Sequence, residues 1–402
     1  MTNRERIPVV ILNGFLGSGK TTLFRNLINQ SKAKDISLSA IVNDMSELDV
    51  DGEILGLSNV VENDSDILES ISSCVLSSEK GITQLNESIH RLRINQSPDI
   101  IVIETSGSCH PMPLIEYFKS QLEFKLIGVL VLVDSLMLSH DFNYGQMLIP
   151  LFKKNLSENK RDTINLMVEQ IMFCSHLFLT KSDRIKKSRL SDIATHIQSI
   201  NPKASVHNVL FGRLDIQSLF ELSEYNYSNV AQLINELRPV LKLEQVTDRP
   251  FGLGTKVIKD DRPFHPERLW DVCHNYLGKH IYRSKGFFWM ASRRKYSLLW
   301  NQAAGGISLE LIGTWKAAVV EDKNNGLLDQ EIALLKEQLL EEKGRFGDRH
   351  CDLTVIGDLS HVDIFADKLK SCFLTNDEID LWNNGYEFRD PWPQKIVTLK
   401  KE

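Results

Sequence analysis

The 402-residue chain lacks several features that would each point to a particular class of protein. No apolar run approaches the roughly 20 residues of a membrane-spanning helix, which argues against an integral membrane protein. The six cysteines are scattered without a CxxC pair, which argues against a disulfide framework and favours free thiols in a reducing compartment. The net charge of −6 provides no general attraction to nucleic acid or an anionic membrane, so neither is an expected partner. The sequence also contains no histidine-rich tract, low-complexity run or internal repeat.

The first residues, MTNRERIPVVILNG, place basic side chains before an apolar stretch, which is also the order in a secretory signal peptide. Here the apolar stretch is short, and it leads into a glycine-rich motif instead of a cleavage site. We therefore expect this stretch to form the first strand of the fold, and we expect the protein to be cytoplasmic.

What the sequence does contain, directly after this stretch, is a phosphate-binding motif. Residues 14–21 read GFLGSGKT, which is the P-loop pattern GxxxxGK[ST]. Gly14, Gly17 and Gly19 allow the backbone to turn tightly and to aim successive N–H groups at an anion. The order of strand, loop and helix at this position is the context in which the motif binds a nucleotide.

The residues after the glycines are suited to a nucleotide and its metal ion. Lys20 supplies a compact positive charge for the β- and γ-phosphates, and the Thr21 hydroxyl is placed to bind Mg²⁺. Ser18 and Thr22 complete the predicted phosphate-binding set. Apolar residues at helical spacing in 22–29 predict a helix whose N-terminus faces the phosphates. The alternative, a glycine-rich turn without a ligand, would not need the Lys-Thr pair.

Two acidic segments follow predicted strands. The loop at 44–51, which includes Glu47, lies where P-loop proteins commonly have the first switch, and a solvated acidic loop is the alternative. Residues 100–103 predict a buried parallel strand that ends at Glu104, where a carboxylate can act on Mg²⁺ or on the attacking water. Gly107 would then allow a backbone N–H to approach the γ-phosphate.

A candidate base-recognition motif, TKSD, follows a strand predicted at 171–179. It resembles the NKxD motif of GTPases, with Thr in place of Asn. Guanine presents an N1–H and an exocyclic amine on one edge, and the Asp183 carboxylate can accept from both, whereas adenine offers no such pair of donors. Lys181 would pack its stem along the base. A polar strand-to-helix turn is the alternative interpretation.

The repeated order of apolar strand and helix predicts the α/β class, with a P-loop NTPase parallel sheet that carries helices on both faces. We place this GTPase domain at 1–225, a connector at 226–250 and a smaller α+β domain at 251–398. An apolar, aromatic strand is predicted at 285–290, flanked by basic residues. Aromatic and basic residues together can bind RNA, but a strand edge with solvated cations is the commoner explanation.

Together these motifs resemble those of CobW-type GTPases, the P-loop group that includes metal chaperones and cobalamin-biosynthesis proteins. In the N-terminal part the matching stretches are GFLGSGKTT, IVNDMSELDVDG, IVIETSG and TKSD. In the C-terminal part DRPFHPERLWD, RSKGFFWMASR, WNQAAGG, GTW, FGDRHCDLTVIGD and DPWP are similar to the zinc-associated branch of that family. The resemblance covers nearly the whole chain.

The resemblance implies slow GTP hydrolysis coupled to the delivery of Zn²⁺, or of another transition metal, to a client metalloprotein. It places Lys20 among the phosphate ligands, Glu104 and Gly107 in the second-switch segment and guanine recognition at Asp183, and it implies GTP and Mg²⁺ as cofactors with Zn²⁺ as a candidate metal. The chemistry of the residues assigns catalysis to Lys20 and Glu104. Glu47 lies where the family has a metal-associated acid. The expected partners are the client protein and, as a candidate assembly, further copies of the same chain.

The chain departs from the family at the metal-binding motif. The family carries CxCC, usually as GCICCT, whereas residues 73–78 read SCVLSS and retain only Cys74. Capture of a soft metal by three thiolates is therefore not available from this motif. Cys109 and His110 stand before a proline where family members usually have an acidic residue. With Glu47 and Cys74 they predict a mixed S/N/O replacement site, the alternative being buried structural side chains.

A divergent GTP-hydrolysing metallochaperone is the function that the sequence favours. The alternative is a GTP-dependent regulatory switch that has lost metal transfer. A nickel-insertion GTPase of the urease or hydrogenase accessory kind is a third interpretation. The large C-terminal domain and the absence of a histidine-rich tract argue against that third interpretation.

Overall fold

The computed structural model describes residues 6–44, 68–72, 74–244, 250–278, 280–303, 306–322, 326–340 and 344–393. The chain divides into two compact units, Met1–Leu253 and Gly254–Glu402. Within the described ranges, none of the helices combines the length and the apolar character needed to cross a bilayer.

The first unit alternates strands and helices. Its strands are β1 (Ile7–Asn13), β2 (Leu38–Asp44), β3 (Leu68–Ser72), β4 (Ile100–Glu104), β5 (Phe124–Asp134), β6 (His176–Thr180) and β7 (Ser205–Asn208). Its helices are α1 (Lys20–Ala33), α2 (Glu79–Gln96), α3 (Met112–Lys119), α4 (Ser135–Asp141), α5 (Leu148–Ser157), α6 (Thr163–Phe173), α7 (Lys187–Gln198), α8 (Gln217–Phe220) and α9 (Ala231–Glu244).

These strands form one seven-stranded parallel sheet in the order β3-β2-β4-β1-β5-β6-β7. The predicted α/β class with a parallel sheet is confirmed. Strand β4 is buried along its whole length, as expected for a central strand covered on both faces. Strand β1 lies between β4 and β5, so the chain leaves it at a point where the strand order reverses, which is where such sheets bind ligands.

The strand predicted at 171–179 is wrong over its first residues. Asp162 begins α6 with a capping box that includes Asn165, and the helix continues to Phe173. Strand β6 begins only at His176. Both the end of α6 and β6 are buried and apolar, and periodicity alone cannot separate a buried helix from a buried strand in one continuous apolar run.

The second unit is built on an antiparallel sheet. Its strands are β8 (Leu253–Asp260), β9 (Ile281–Phe288), β10 (Tyr296–Ala303), β11 (Gly306–Thr314) and β12 (Cys351–Asp358), and its helices are α10 (Pro266–Tyr276), α11 (Lys316–Glu321), α12 (Asp329–Leu340), α13 (Leu359–Lys370) and α14 (Asn376–Asn383). The sheet order is β11-β10-β9-β12-β8, and β9 pairs antiparallel with both β10 and β12. The predicted α+β character of this part is confirmed.

The strand predicted at 285–290 ends earlier, because β9 stops at Phe288. Phe288, Trp289 and Met290 are all fully buried in the core of the second unit. Their rings and side chains pack against that core, so they are not available to stack on nucleotide bases.

Candidate functional site

The turn between β1 and α1 depends on glycine. Gly14, Gly17 and Gly19 have φ angles of 136°, 74° and 97°, which side chains rarely allow. A Cβ atom at Gly14 would also lie 2.3 Å from the Leu132 carbonyl oxygen on β5. The loop therefore has the backbone conformation, and the close packing against β5, that the phosphate-loop prediction requires.

The side chains of this loop are arranged around a compact, polar turn. Lys20 is buried, and its Nζ donates to the carbonyl oxygens of Gly14 and Phe15 at 2.7 and 3.2 Å. Ser18 is also buried, and its Oγ has no hydrogen-bond partner in the described part of the chain. A buried cation beside an unsatisfied hydroxyl fits an anionic ligand such as a nucleotide phosphate. Thr22, the last residue of the predicted set, is exposed on the first turn of α1.

Glu104 lies against the start of α1. The parallel register pairs Leu12 of β1 with Glu104 of β4, so both strands end at the same level. The Thr21 Oγ1 donates to Glu104 Oε1 at 2.7 Å, and the Glu104 side chain is 5% exposed. A hydroxyl and a carboxylate together form the oxygen donor set that suits Mg²⁺.

Gly107 brings the segment after β4 close to the phosphate loop. A Cβ atom there would lie 2.7 Å from the backbone nitrogen of Leu16 and 2.6 Å from its side chain. From the sequence, we explained Gly107 by the close approach of a γ-phosphate to its backbone N–H. The structure adds a second reason, because only glycine allows the two backbones to pack this closely.

The first three residues of the TKSD segment hydrogen-bond to neighbouring elements at this edge of the sheet. Thr180 Oγ1 donates to the Ser18 carbonyl oxygen of the phosphate loop at 2.8 Å. Lys181 has a left-handed backbone conformation (φ 53°), and its Nζ donates to Asp134 Oδ2 at 2.5 Å. Asp134 ends β5, so the base-recognition segment contacts both neighbouring elements of the sheet edge.

Asp183 is left available at the surface of this segment. Ser182 Oγ donates to Asn208 Oδ1, which anchors the loop to the end of β7. The Asp183 side chain is 35% exposed, and the Arg184 guanidinium lies 4.0 Å from its carboxylate. A partly exposed carboxylate on a fixed loop is what guanine recognition requires.

Asn43 is a connecting residue that sequence reasoning missed. It is buried at the end of β2, and its Nδ2 donates to the carbonyl oxygens of Ile71 and Cys74 at 2.9 and 2.8 Å. Its Oδ1 accepts from the backbone N–H groups of Leu76 and Ser106. One amide thus joins β2, the Cys74 segment and the segment after β4. The only signal in the sequence was a polar residue that ends an apolar strand.

Comparison with known proteins identifies the family. Residues 8–208 match the model described as CobW/HypB/UreG, nucleotide-binding domain, and residues 253–373 match the Cobalamin synthesis protein cobW C-terminal domain. The chain belongs to the CobW family. The resemblance that the sequence motifs indicated is therefore confirmed.

Two relatives align over most of their length. Zinc-regulated GTPase metalloprotein activator 1 of Dictyostelium discoideum is 26% identical over 413 residues, which cover 94% of this chain and 83% of that protein. The zinc chaperone YjiA of Escherichia coli is 23% identical over 321 residues, which cover 74% of this chain and 90% of that protein. A shorter match to the zinc chaperone CobW of a Sinorhizobium species is 36% identical over 139 residues, covering 33% of this chain and 38% of that protein.

Where CobW proteins are expected to hold their thiolate cluster, this chain has one half-buried cysteine. The Cys74 Sγ lies 2.9 Å from Gln84 Oε1 on α2. Burial raises the pKa of the Cys74 thiol, and the nearby Lys80 only partly offsets this effect. The thiol form therefore dominates at neutral pH, although a metal ion needs the thiolate.

Cys109 is more deeply buried than an accessible metal ligand would be. It is fully buried, and burial raises the pKa of its thiol to about 12 despite a hydrogen bond with Ser77. Its carbonyl oxygen accepts from Asn13 Nδ2 and Gln170 Nε2, both at 3.1 Å. These bonds fix the backbone of the segment that follows β4.

Both ring nitrogens of His110 are engaged. Nδ1 accepts from the Met112 backbone N–H at 3.2 Å in the first turn of α3, and Nε2 lies 3.1 Å from Glu169 Oε2 on α6. Burial alone would raise the pKa of Glu169, but hydrogen bonds from His110 and Arg161 outweigh burial and lower it. His110 therefore belongs to a buried ionic network.

The structure does not assemble the predicted replacement metal site. Among the described residues, no group of three metal-binding side chains with ligand atoms within 4.8 Å of one another includes Cys74, Cys109 or His110. Glu47, the fourth predicted ligand, lies outside the described residues. The complete site stays a prediction, and its buried members have structural roles in this arrangement.

Proposed function

We propose that this protein binds and hydrolyses GTP, and that hydrolysis is coupled to the delivery of a transition metal, zinc in the first instance, to a client metalloprotein. The observation that carries the proposal is the hydrogen bond from Thr180 to the Ser18 carbonyl oxygen. It joins a base-recognition segment to a phosphate loop at one edge of the sheet. A single guanine nucleotide would contact both.

The residues of the phosphate loop have separate roles in this proposal. Lys20 would exchange its two carbonyl acceptors for phosphate oxygens, and it would neutralise charge that develops during transfer. Thr21 and Glu104 would hold Mg²⁺, which when bound neutralises charge on the β- and γ-phosphates. No arginine of the sequence can be recognised as an arginine finger, so we expect slow turnover of GTP.

Nucleotide choice gives the first test. We expect GTP to bind more tightly than ATP, because a double contact from Asp183 to guanine contributes about 2–4 kcal/mol. Asp183→Asn should weaken GTP binding and favour xanthosine triphosphate, whose edge presents an acceptor to the new amide donor. The measurement is equilibrium binding of the three nucleotides to parent and variant, with Asp192→Asn on α7 as an exposed control. Equal affinity of the parent for ATP and GTP would contradict guanine recognition.

Metal handling is supported by the names of the relatives, which are a zinc-regulated metalloprotein activator and zinc chaperones. In this chain the family thiolates are reduced to Cys74. None of the six cysteines forms a disulfide, which agrees with the proposed cytoplasmic location, and Cys74 is the one cysteine that is not buried.

The second test is therefore a zinc titration against a chromogenic competitor, with GDP and with a non-hydrolysable GTP analogue. We expect zinc affinity to differ between the two nucleotide states, because a metal site that touches the switch segments changes with them. Cys74→Ser should remove that difference without disturbing the core, whereas Cys109 and His110 are too deeply buried for a clean substitution. Zinc binding that is identical in both states would argue for a switch without metal transfer.

A further inference from the structure

The second unit contains a group of metal-binding side chains that the proposed function does not use. His280, Asp358 and His361 each offer one ligand atom, and these atoms lie within 4.8 Å of one another. His280 directly precedes β9, Asp358 ends β12, and His361 lies in the first turn of α13. Three different elements therefore contribute to the cluster.

A β-bulge brings the backbones of this cluster together. The register between β12 and β9 shifts between Ile356 and Gly357, which pair with Arg283 and Ile281, so Tyr282 is the extra residue. Past the bulge, the Asp358 N–H donates to the His280 carbonyl oxygen at 2.8 Å. A Cβ atom at Gly357 would lie 2.5 Å from that same oxygen, so the approach requires glycine. Bulges commonly redirect a side chain, and this one sets Asp358 beside His280.

The Asp358 carboxylate is diverted from its usual local role. Asp358 is the N-cap residue of α13, a position where aspartate normally accepts a hydrogen bond from the helix backbone. Its side chain makes no such bond. Instead Oδ2 accepts from His280 Nδ1 at 2.6 Å, and Oδ1 accepts from the Tyr282 hydroxyl. The Asp358 carboxylate therefore faces the imidazoles and does not accept a capping hydrogen bond from the backbone of α13.

The two imidazoles face each other at the surface. The rings of His280 and His361 are stacked, with centroids 4.1 Å apart and an interplanar angle of 11°. The side chains of His280 and Asp358 are 40% and 27% exposed, and His361 is exposed. His361 Nδ1 lies 2.9 Å from the Ser360 hydroxyl oxygen. An ion could enter from solvent and water could complete its coordination, and a metal bound by both imidazoles would require the His361 ring to rotate out of the stack.

We propose that His280, Asp358 and His361 bind a divalent transition-metal ion. Two imidazoles and a carboxylate suit zinc, nickel, cobalt or copper better than Mg²⁺ or Ca²⁺, which prefer oxygen ligands alone. The ion takes the place of the proton that His280 Nδ1 shares with Asp358 Oδ2, and that proton is released to solvent. The site goes beyond the proposed function, because it requires neither the nucleotide nor the family thiolates.

The test is a Co²⁺ titration of the full-length, metal-free protein without nucleotide, followed by visible absorption and repeated with Zn²⁺ by calorimetry. Imidazole and carboxylate ligands give d–d bands without the charge-transfer absorption of a cobalt–thiolate bond. We expect the double variant His280→Ala/His361→Ala to lose one equivalent of metal and to leave any thiolate absorption unchanged. Asp358→Asn should also weaken metal binding, because a neutral amide replaces a carboxylate ligand.

His274→Ala is the matched control, since His274 is an exposed histidine of the same unit outside the cluster, and its metal stoichiometry should equal the parent's. The variants change surface side chains and remove no cap bond, so unchanged circular dichroism and melting should accompany the loss. Equal stoichiometry and affinity in the parent and the double variant would overturn the proposal. A protein that fails to hydrolyse GTP but shows the loss would contradict only the proposed function.

Discussion

Thr180 illustrates how a departure from a motif can be accommodated at the scale of one residue. The hydroxyl donates to the Ser18 carbonyl oxygen at 2.8 Å and lies 3.2 Å from the Val133 carbonyl oxygen. The position needs a donor that ties the base-recognition segment to the phosphate loop, and a threonine hydroxyl supplies one. The residue at the position of the motif's asparagine therefore still ties the TKSD segment to the phosphate loop.

The chemistry of the phosphate loop gives a prediction at the residue scale. Lys20→Ala removes a buried cation and should abolish GTP hydrolysis. Glu104→Gln keeps the volume and the Thr21 hydrogen bond but removes the charge, so nucleotide should still bind while single-turnover hydrolysis slows by about 100-fold or more. Glu116→Gln, which changes a half-buried carboxylate of α3 that pairs with Arg238, is the control. An unchanged single-turnover rate in Glu104→Gln would remove Glu104 from the mechanism.

Sequence reasoning found residues with a motif and missed those without one. Lys20 and Thr21 were predictable because nucleotide chemistry fixes their spacing. Asn13 and Asn43 were not, because each is a single amide that donates to main-chain carbonyl oxygens far away in the sequence. His110 shows the limit of residue type, which suggested a metal ligand and did not reveal the hydrogen bond between the His110 ring and Glu169.

At the scale of elements, local composition decided what could be predicted. Strand β4 was predictable because a short run of β-branched residues is bounded by polar ones. Helix α6 and strand β6 were confused because both are buried and nearly adjacent. Strands β10 and β11 carry only short apolar runs, and their register is set by antiparallel partners that a single sequence does not reveal.

Helix α14 gives a prediction about pH. Its capping box pairs Thr375 with Glu378, and the same carboxylate binds the Arg268 guanidinium of α10 at 2.7 Å. The Arg268 hydrogen bond outweighs burial and lowers the pKa of Glu378 from 4.5 to about 2. A lowered pKa in the folded state means that the stabilisation is complete above the ordinary value and is lost as the pH falls.

Glu378→Gln should therefore destabilise the protein at neutral pH, and the difference from the parent should shrink as the pH is lowered from 4.5 towards 2. Denaturant unfolding at a series of pH values measures this difference. The exposed Glu387→Gln should show no comparable trend. A difference between Glu378→Gln and the parent that is constant with pH would show that the ion pair does not provide the stabilisation.

At the scale of the whole molecule, each unit has its own hydrophobic core and its own candidate ligand. The core of the first unit lies beside the strands that position the phosphate loop, and that of the second unit includes Phe288, Trp300 and Phe365. A ligand that binds only the folded form stabilises it by about 2.7 kcal/mol at 100 times its dissociation constant. This stabilisation should slow amide hydrogen exchange most strongly in the elements that hold the ligand, because local opening limits exchange there.

Hydrogen exchange followed by mass spectrometry measures the protection that each of the two ligands gives to the same protein. A GTP analogue with Mg²⁺ should slow exchange in the phosphate loop and α1, and this protection should be absent in Lys20→Ala. Zinc without nucleotide should slow exchange at the start of β9, the end of β12 and the first turn of α13. That protection should be absent in His280→Ala/His361→Ala and retained in His274→Ala. If the nucleotide leaves the phosphate loop unprotected, the GTP assignment fails. If zinc protects the cluster segments equally in parent and double variant, the histidine–aspartate cluster does not bind the metal.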